Sequence, residues 1–249
     1  MAALAPAGAN GAPAYPPGTP GLEPIAGAAA ERPLTQSVRP PARRLSTVAR
    51  VVAPAFARKR LRGPKRGWPV STQTSWTGQP HTLLVLDAAV YREREWVKLL
   101  LPLRPNGTAG WVPRDRVVLG RTSYWVQVRT DARLVTVFRD GKPVRRFRAV
   151  VGKPSTPTPH GLAAVYEATR QPNPGGFVGP WALPLTIMSN VLYNYGGGPG
   201  RVAIHGRAGA SLLDPLGTAA SHGCIRIDND KVSWMAAAVP VGTPVRIKR

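Results

Sequence analysis

Hydrophobic residues in the C-terminal half of the chain follow two patterns that are typical of β-strands. Residues 125–128 (WVQV) alternate between apolar and polar, and residues 134–138 (LVTVF) form a short apolar run. Alternation indicates a half-buried strand, and a short apolar run indicates a strand buried on both faces. Residues 139–142 (RDGK) predict a tight turn into the next strand, at 144–151. We therefore predict a meander of antiparallel strands.

One helix is predicted near the C-terminus. Asp228 can cap the run 229–238, and Pro240 and Gly242 end it. An acidic residue in the first turn favours this helix, because it opposes the positive end of the helix dipole. The stretch 243–247 (TPVRI) then predicts a final strand.

Residues 68–120 contain shorter apolar runs that turn residues interrupt. The Asn106-Gly107 pair lies between two such runs and predicts a hairpin, because both residues tolerate positive φ. Short strands at this density indicate a small β-barrel. The segment resembles a bacterial SH3-like module, and the resemblance rests on WVKLL at 96–100, GWV at 110–112 and VVL at 117–119.

Residues 1–67 are rich in Ala, Pro and Gly and show neither the strand period nor the helix period. A segment of this composition buries too little apolar surface to fold, so we expect disorder. Scattered Arg and Lys at 32–66 would tether it to an anionic surface. Residues 5–9 (APAGA) resemble the tail of a signal peptide without its basic and apolar regions, so we expect that an export signal has been lost.

The charge balance is strongly basic, since 34 Lys and Arg against 12 Asp and Glu give a net charge of +22. Such a polycation prefers polyanions, which include nucleic acid, anionic cell-envelope polymers and acidic membrane surfaces. No zinc-finger, RNP or basic-zipper pattern occurs, so we predict no nucleic-acid partner; an Arg-rich solvated surface is the alternative explanation. No run of about 18 apolar residues predicts a transmembrane helix.

Cys224 is the only cysteine, which excludes an intramolecular disulfide and a cysteine-rich metal site. If residues 221–227 (SHGCIRI) are extended, His222, Cys224 and Arg226 share one face while two isoleucines face the core. A thiol beside cationic groups has a lowered pKa and is nucleophilic. The alternative is a buried, inert cysteine.

A candidate base for this thiol is His205. An apolar strand leads into it, and Gly206 would let the chain turn at once, near the loop that carries Cys224. These segments resemble the catalytic domain of the L,D-transpeptidase (YkuD-like) family, whose pattern is an HG pair, a loop and then S-H-G-C-x-R or S-H-G-C-x-N. The matching residues are HG at 205–206, LLD at 212–214, SHGCIR at 221–226, TPTPHG at 156–161 and GPWALP at 179–184.

The resemblance implies a mainly β fold. The catalytic domain would be an L,D-transpeptidase-like β-sandwich at 124–248, with a short helix after the cysteine. A small SH3-like β-barrel at 68–120 and a disordered segment at 1–67 would precede it. Leu162 departs from the family, which often has an aromatic residue there.

The resemblance also implies a mechanism. Cys224 would attack the carbonyl between the third and fourth residues of a peptidoglycan stem tetrapeptide, release D-alanine and form a thioester that an amine of a second stem resolves. His205 would be the base, oriented by a backbone carbonyl near Gly206. Backbone N–H groups around His222, Gly223 and Cys224 would hold the oxyanion.

Arg226 and Ser221 would bind substrate. Arg226 would hold a stem carboxylate in a bidentate fork, which lysine cannot form. The alternative for Arg226 is a structural ion pair with Asp228 or Asp214. The resemblance needs no metal and no cofactor.

Other functions stay open at this point. Water in place of the amine would make the protein an L,D-carboxypeptidase, and a zinc enzyme could use His160, His205, His222 and Cys224. A non-catalytic envelope-binding protein would use only the SH3-like module and the cationic segment. We expect a monomer outside the cytoplasm, in the cell envelope or periplasm, that binds peptidoglycan stem peptides.

Overall fold

Two sets of β-strands, one from each half of the chain, build the protein in this computed structural model, which describes residues 23–24 and 34–249. The N-terminal strands are β1 (Glu23–Pro24), β2 (Ser46–Val51), β3 (Ala55–Arg58), β4 (Gly67–Val70), β5 (Thr82–Tyr91), β6 (Arg94–Leu100), β7 (Ala109–Pro113) and β8 (Val117–Thr122). They form one sheet in the order β1-β8-β2-β5-β6-β7-β3-β4, and every neighbouring pair is antiparallel. A short helix, α1 (Leu34–Ser37), precedes β2.

The structure differs over residues 34–67 from the disorder expected for 1–67. Strand β2 lies between β5 and β8, and its residues Val48, Ala49 and Val51 are buried. The prediction missed this six-residue strand because it relied on the composition of the whole segment, which Ala, Pro and Gly dominate. The strand is stable because it pairs with another strand on each side. Residues 1–22 and 25–33 lie outside the described residues. The SH3-like identity of residues 68–120 stays a prediction.

The C-terminal half contains the predicted meander and helix. Its strands are β9 (Tyr124–Arg129), β10 (Leu134–Arg139), β11 (Lys142–Arg148), β12 (Val151–Gly152), β13 (Gly161–Ala164), β14 (Thr169–Arg170), β15 (Trp181–Met188), β16 (Arg201–His205), β17 (Ala219–Ser221), β18 (Ile225–Arg226) and β19 (Pro244–Lys248). They form a sheet in the order β11-β10-β9-β19-β13, a second in the order β14-β15-β16-β18, and the pair β12-β17. Helix α2 (Asn229–Ala238) packs on β15 and β16.

Side chains from both of these sheets and from α2 meet in one apolar core. Val126 and Val137 of the first sheet, Ile204 and Ile225 of the second, and Met235 of the helix are fully buried there. Asp228 precedes α2 at the predicted position, but its carboxylate makes no capping hydrogen bond. The described part of the chain has no helix that is long and apolar enough to cross a membrane.

The N-terminal sheet packs directly against the C-terminal half. Leu84 and Leu100 form a small apolar cluster with Ala164, and the hydroxyls of Thr122 and Thr243 lie 3.3 Å apart. The turn between β6 and β7, where Asn106-Gly107 predicted a hairpin, also contacts the end of β15. The two halves are therefore joined by both apolar and polar contacts.

Candidate active site

Strand pairing brings the two predicted catalytic residues together. His205 ends β16, and Cys224 lies immediately before β18, which pairs with β16 in parallel. Ile204 pairs with Ile225, and the N–H of Ile227 donates to the carbonyl of His205 at 3.0 Å. The parallel pairing explains why residues from two distant sequence motifs share one edge of the sheet.

The segment around Cys224 is a turn between β17 and β18, and the expectation of one extended run from 221 to 227 was wrong. Gly223 has a φ of +114°, a conformation that residues with a side chain rarely adopt. As a result His222 is exposed, whereas Arg226 is 3 % exposed. The predicted shared face of His222, Cys224 and Arg226 does not form.

Buried hydroxyl groups hold this turn in place. Ser221 Oγ donates to the carbonyl of Cys224 at 2.6 Å and accepts the N–H of Gly223 at 3.1 Å. Thr156 Oγ1 donates to the carbonyl of Ser221 at 3.1 Å, and Thr158 Oγ1 donates to that of Gly223 at 2.9 Å. Ser221, expected to bind substrate, is fully buried and supports the turn. The two threonines belong to the TPTPHG motif, but their contact with the turn could not be inferred from it.

Replacing Thr158 with valine is expected to lower the free energy of unfolding by about 1–3 kcal/mol. Valine keeps the shape but leaves the carbonyl of Gly223 and the N–H of Gly152, which donates to Thr158 Oγ1 at 2.9 Å, without partners. Urea unfolding measures the loss. Thr136→Val is the matched control, since Thr136 is similarly buried and takes no part in the hydrogen bonds that hold the turn. Equal losses in both variants would contradict the assigned role.

The turn offers two free backbone donors. The N–H of Gly223 is used by Ser221 Oγ. Those of His222 and Cys224 have no acceptor among residues 23–24 and 34–249. The predicted oxyanion site around His222, Gly223 and Cys224 thus narrows to two groups that can donate to a bound oxygen.

His205 is held as a neutral base. Its Nδ1 lies 2.7 Å from the carbonyl of Gly206, so Nδ1–H is the donor and Nε2 carries the lone pair. Burial lowers the pKa of His205 to about 4, with the charge of Arg226 acting in the same direction and the hydrogen bond to Gly206 opposing it. The imidazole is therefore unprotonated at neutral pH and can accept a proton from a thiol.

Gly206 serves this arrangement because neighbouring side chains approach its backbone closely. A Cβ at this position would collide with Asn229 Oδ1, which accepts the N–H of Arg207 at 2.7 Å. The glycine was expected to permit a sharp turn, but its φ is not in the left-handed region. Its role is to let the start of α2 pack against the chain that follows His205.

The thiol of Cys224 is less acidic than expected. Burial raises the pKa of Cys224 above its usual value, and the N–H of Ala203 and the charge of Arg226 oppose this only in part. The sequence could not reveal that the thiol is desolvated, although it offered the pairing of Arg226 with a carboxylate as an alternative. The resting site therefore pairs a neutral thiol with a neutral imidazole.

This protonation state predicts a specific pH dependence. The raised pKa of the Cys224 thiol means that the rate of alkylation by iodoacetamide should keep rising from about pH 7 to about pH 9, as the thiolate fraction grows. Mass spectrometry of the intact protein follows the reaction, and free cysteine is the control. A rate that is constant between about pH 5 and 7 would indicate a thiolate at rest and would contradict the assignment.

Arg226 forms the ion pair that was considered as the alternative to substrate binding. Its Nη1 donates to Asp214 Oδ2 at 2.5 Å, and its guanidinium lies 4.7 Å from the centre of the Phe177 ring. Arg226 Nε is buried without a partner among the described residues. A role in substrate binding is therefore restricted to the nitrogens that Asp214 does not use.

A metal site finds no support in the described ranges, 23–24 and 34–249. They hold no group of three His, Cys, Asp or Glu side chains able to bind a metal ion. His160, one of the four candidate ligands, instead lies with Nε2 2.9 Å from the hydroxyl of Thr130.

Comparison with known proteins identifies the C-terminal half. Residues 123–247 match the model of the YkuD family, described as the L,D-transpeptidase catalytic domain. The chain is 35 % identical to the YkuD protein of Bacillus licheniformis over 124 residues, which covers 50 % of this chain and 65 % of that relative. It is 34 % identical to the YkuD protein of Bacillus subtilis over 156 residues, which covers 60 % of this chain and 85 % of the relative.

Among the solved structures that match this chain is an L,D-transpeptidase from Mycobacterium tuberculosis H37Rv. The two are 23 % identical, with a TM-score of 0.41 and coverage of 59 % of this chain and 74 % of the other. The range that matches the family model includes both His205 and Cys224. The chain therefore belongs to the YkuD family of L,D-transpeptidase catalytic domains.

Proposed function

We propose that the protein is a cysteine-dependent L,D-transpeptidase that cross-links or remodels peptidoglycan stem peptides through a thioester on Cys224. The observation that carries this proposal is the orientation of His205. Because Gly206 fixes the proton on Nδ1, Nε2 is the basic nitrogen of an imidazole that stays neutral at physiological pH. A neutral base on the strand beside a single thiol is what a cysteine acyl transfer requires.

The first half of the reaction transfers the donor stem to the enzyme. The proton of Cys224 passes to Nε2 of His205 as the sulfur attacks the carbonyl carbon between the third and fourth stem residues. The N–H groups of His222 and Cys224 donate to the oxyanion. The imidazolium then protonates the amine of D-alanine, the C–N bond breaks, and the thioester remains.

The second half uses the same groups in reverse. The side-chain amine of another stem attacks the thioester, His205 accepts its proton, and Cys224 leaves as a thiol. The lowered pKa of His205 favours return of the proton at each step, because its charged form is poorly solvated where it is buried.

The wider setting follows from the substrate. We place the protein outside the cytoplasm, where peptidoglycan is cross-linked, with anionic envelope polymers as secondary partners. The exposed strand β11 supports this secondary binding. Its residues Lys142, Arg145, Arg146 and Arg148 are exposed, and no carboxylate of the described chain forms an ion pair with them.

Product analysis tests the proposed function. The protein is incubated with a disaccharide-tetrapeptide, and the products are separated and identified by mass spectrometry. Loss of D-alanine together with tripeptide–tetrapeptide dimers is the expected result. Tripeptide alone, even at high acceptor concentration, would assign the protein as an L,D-carboxypeptidase on the same site. Release of D-alanine that survives alkylation of Cys224 would overturn the thioester.

A further inference from the structure

A loop with exposed aromatic residues stands beside the Cys224 turn. The 189–200 loop connects β15 to β16, the strand that carries His205. Tyr193 and Tyr195 on this loop are 69 % and 51 % exposed, although large aromatic side chains usually bury more of their surface. Exposed rings beside a catalytic turn are candidates for contact with a substrate.

One of these rings contacts the turn itself. The ring of Tyr195 lies 5.7 Å from the ring of His222, measured between centroids, with the planes inclined by 30°. His222 is two residues before Cys224, and its N–H is one of the two free donors of the turn. Tyr195 therefore lies against the turn that carries the thiol.

The loop is fastened from the other half of the molecule. The guanidinium of Arg104, in the turn between β6 and β7, donates to the carbonyls of Ser189 at 2.5 Å, Leu192 at 3.1 Å and Pro199 at 2.9 Å. It also lies 4.4 Å from the centre of the Tyr193 ring. Because these carbonyls belong to both ends of the loop, one side chain closes its base. A planar guanidinium can do this, whereas the single ammonium of lysine cannot reach all three.

A neighbouring side chain strengthens the same attachment. The amide of Asn106 accepts the N–H of Met188 at 2.8 Å and donates to the carbonyl of Met188 at 2.7 Å. It thereby pairs with the end of β15 as another strand would. The N-terminal half thus binds the loop at its start through Asn106 and across its base through Arg104.

We propose that Arg104 is a positioning residue for the acyl donor. By closing the base of the 189–200 loop, it holds Tyr195 against His222, and the exposed tyrosine rings then bind the glycan-linked stem peptide as it approaches Cys224. This inference rests on the proposed function for the identity of the donor. It assigns binding of the donor to both halves of the chain, although the reacting residues Cys224 and His205 lie in the C-terminal half.

Steady-state kinetics with the full-length protein test the proposal. Arg104→Ala is expected to raise KM for the disaccharide-tetrapeptide about tenfold while kcat changes less than about threefold, because the loop binds the donor and leaves the reacting atoms alone. Arg104→Lys should recover little of this loss, and Tyr195→Ala should reproduce it. Arg114→Ala is the control, since Arg114 also donates to a backbone carbonyl, that of Val117, away from the loop. An unchanged KM in Arg104→Ala would overturn the proposal.

Hydrogen exchange gives a second readout that needs no substrate. Amides of the 189–200 loop should exchange faster in Arg104→Ala than in the wild-type protein, while those of α2 should not change. Equal exchange in the loop would overturn the proposal even if the protein proved to be a transpeptidase. If the loop exchanges faster in Arg104→Ala but the wild-type protein releases no D-alanine, the attachment of the loop by Arg104 is supported and the proposed transpeptidase function is contradicted.

Discussion

Replacing Cys224 with alanine is expected to reduce release of D-alanine from the disaccharide-tetrapeptide by a factor of about 10⁴ or more. No other thiol in the chain can take over the attack, since Cys224 is the only cysteine. The oxyanion donors and the base would remain, but without a nucleophile they have no covalent intermediate to stabilise.

A carbapenem provides the direct measurement. The wild-type protein should gain the mass of one carbapenem molecule, and peptide mapping should place it on Cys224, whereas Cys224→Ala should gain none. The alanine variant removes one sulfur atom, so its urea unfolding should resemble that of the wild type and serves as the control for folding. Carbapenem bound covalently to the alanine variant would assign the nucleophile to another residue.

Replacing His205 with asparagine should have the second-largest effect, a fall in kcat of about 10²–10⁴-fold. The asparagine amide can still donate to the carbonyl of Gly206, but nothing replaces the basic Nε2. The rate of Cys224 alkylation at neutral pH should fall as well, because the thiol loses its proton acceptor.

His81→Asn is the matched control for this variant. His81 is also buried, its Nδ1 also lies 2.9 Å from a backbone carbonyl, that of Ser71, and burial likewise lowers its pKa. It belongs to the N-terminal half, and its hydrogen bond does not involve the Cys224 turn. The control should retain activity within about threefold. Similar losses of kcat in both variants would show that destabilisation, and not the base, explains the effect of His205→Asn.

Local signals predicted the parts of the fold that depend on neighbouring residues. Helix α2 could be predicted because Pro240 and Gly242, which end it, lie within a few residues of its last turn. The alternation of apolar and polar residues over 125–128 was sufficient to predict β9. Strand β2 was missed because its stability comes from pairing with β5 and β8, which are distant in sequence. Its own apolar residues were few among many Ala, Pro and Gly.

The same distinction applies to the site. The motifs indicated Cys224 and His205 by residue type, and the structure places His205 at the end of β16 and Cys224 immediately before its partner strand β18. The hydroxyls of Thr156 and Thr158 reach the turn from about sixty-five positions away. The direction of the shift in the Cys224 pKa also depended on tertiary structure, because burial of the thiol outweighs the opposing charge of Arg226.

The attachment made by Arg104 has a consequence for protein engineering. The family match begins at residue 123, which suggests a natural cut for a minimal enzyme or for a fusion to another binding module. Such a chimera would contain the thiol, the base and both oxyanion donors, yet three carbonyls at the base of the 189–200 loop would face solvent. A transplanted catalytic half would need a replacement cation from its new neighbour, so these two halves are not interchangeable building blocks.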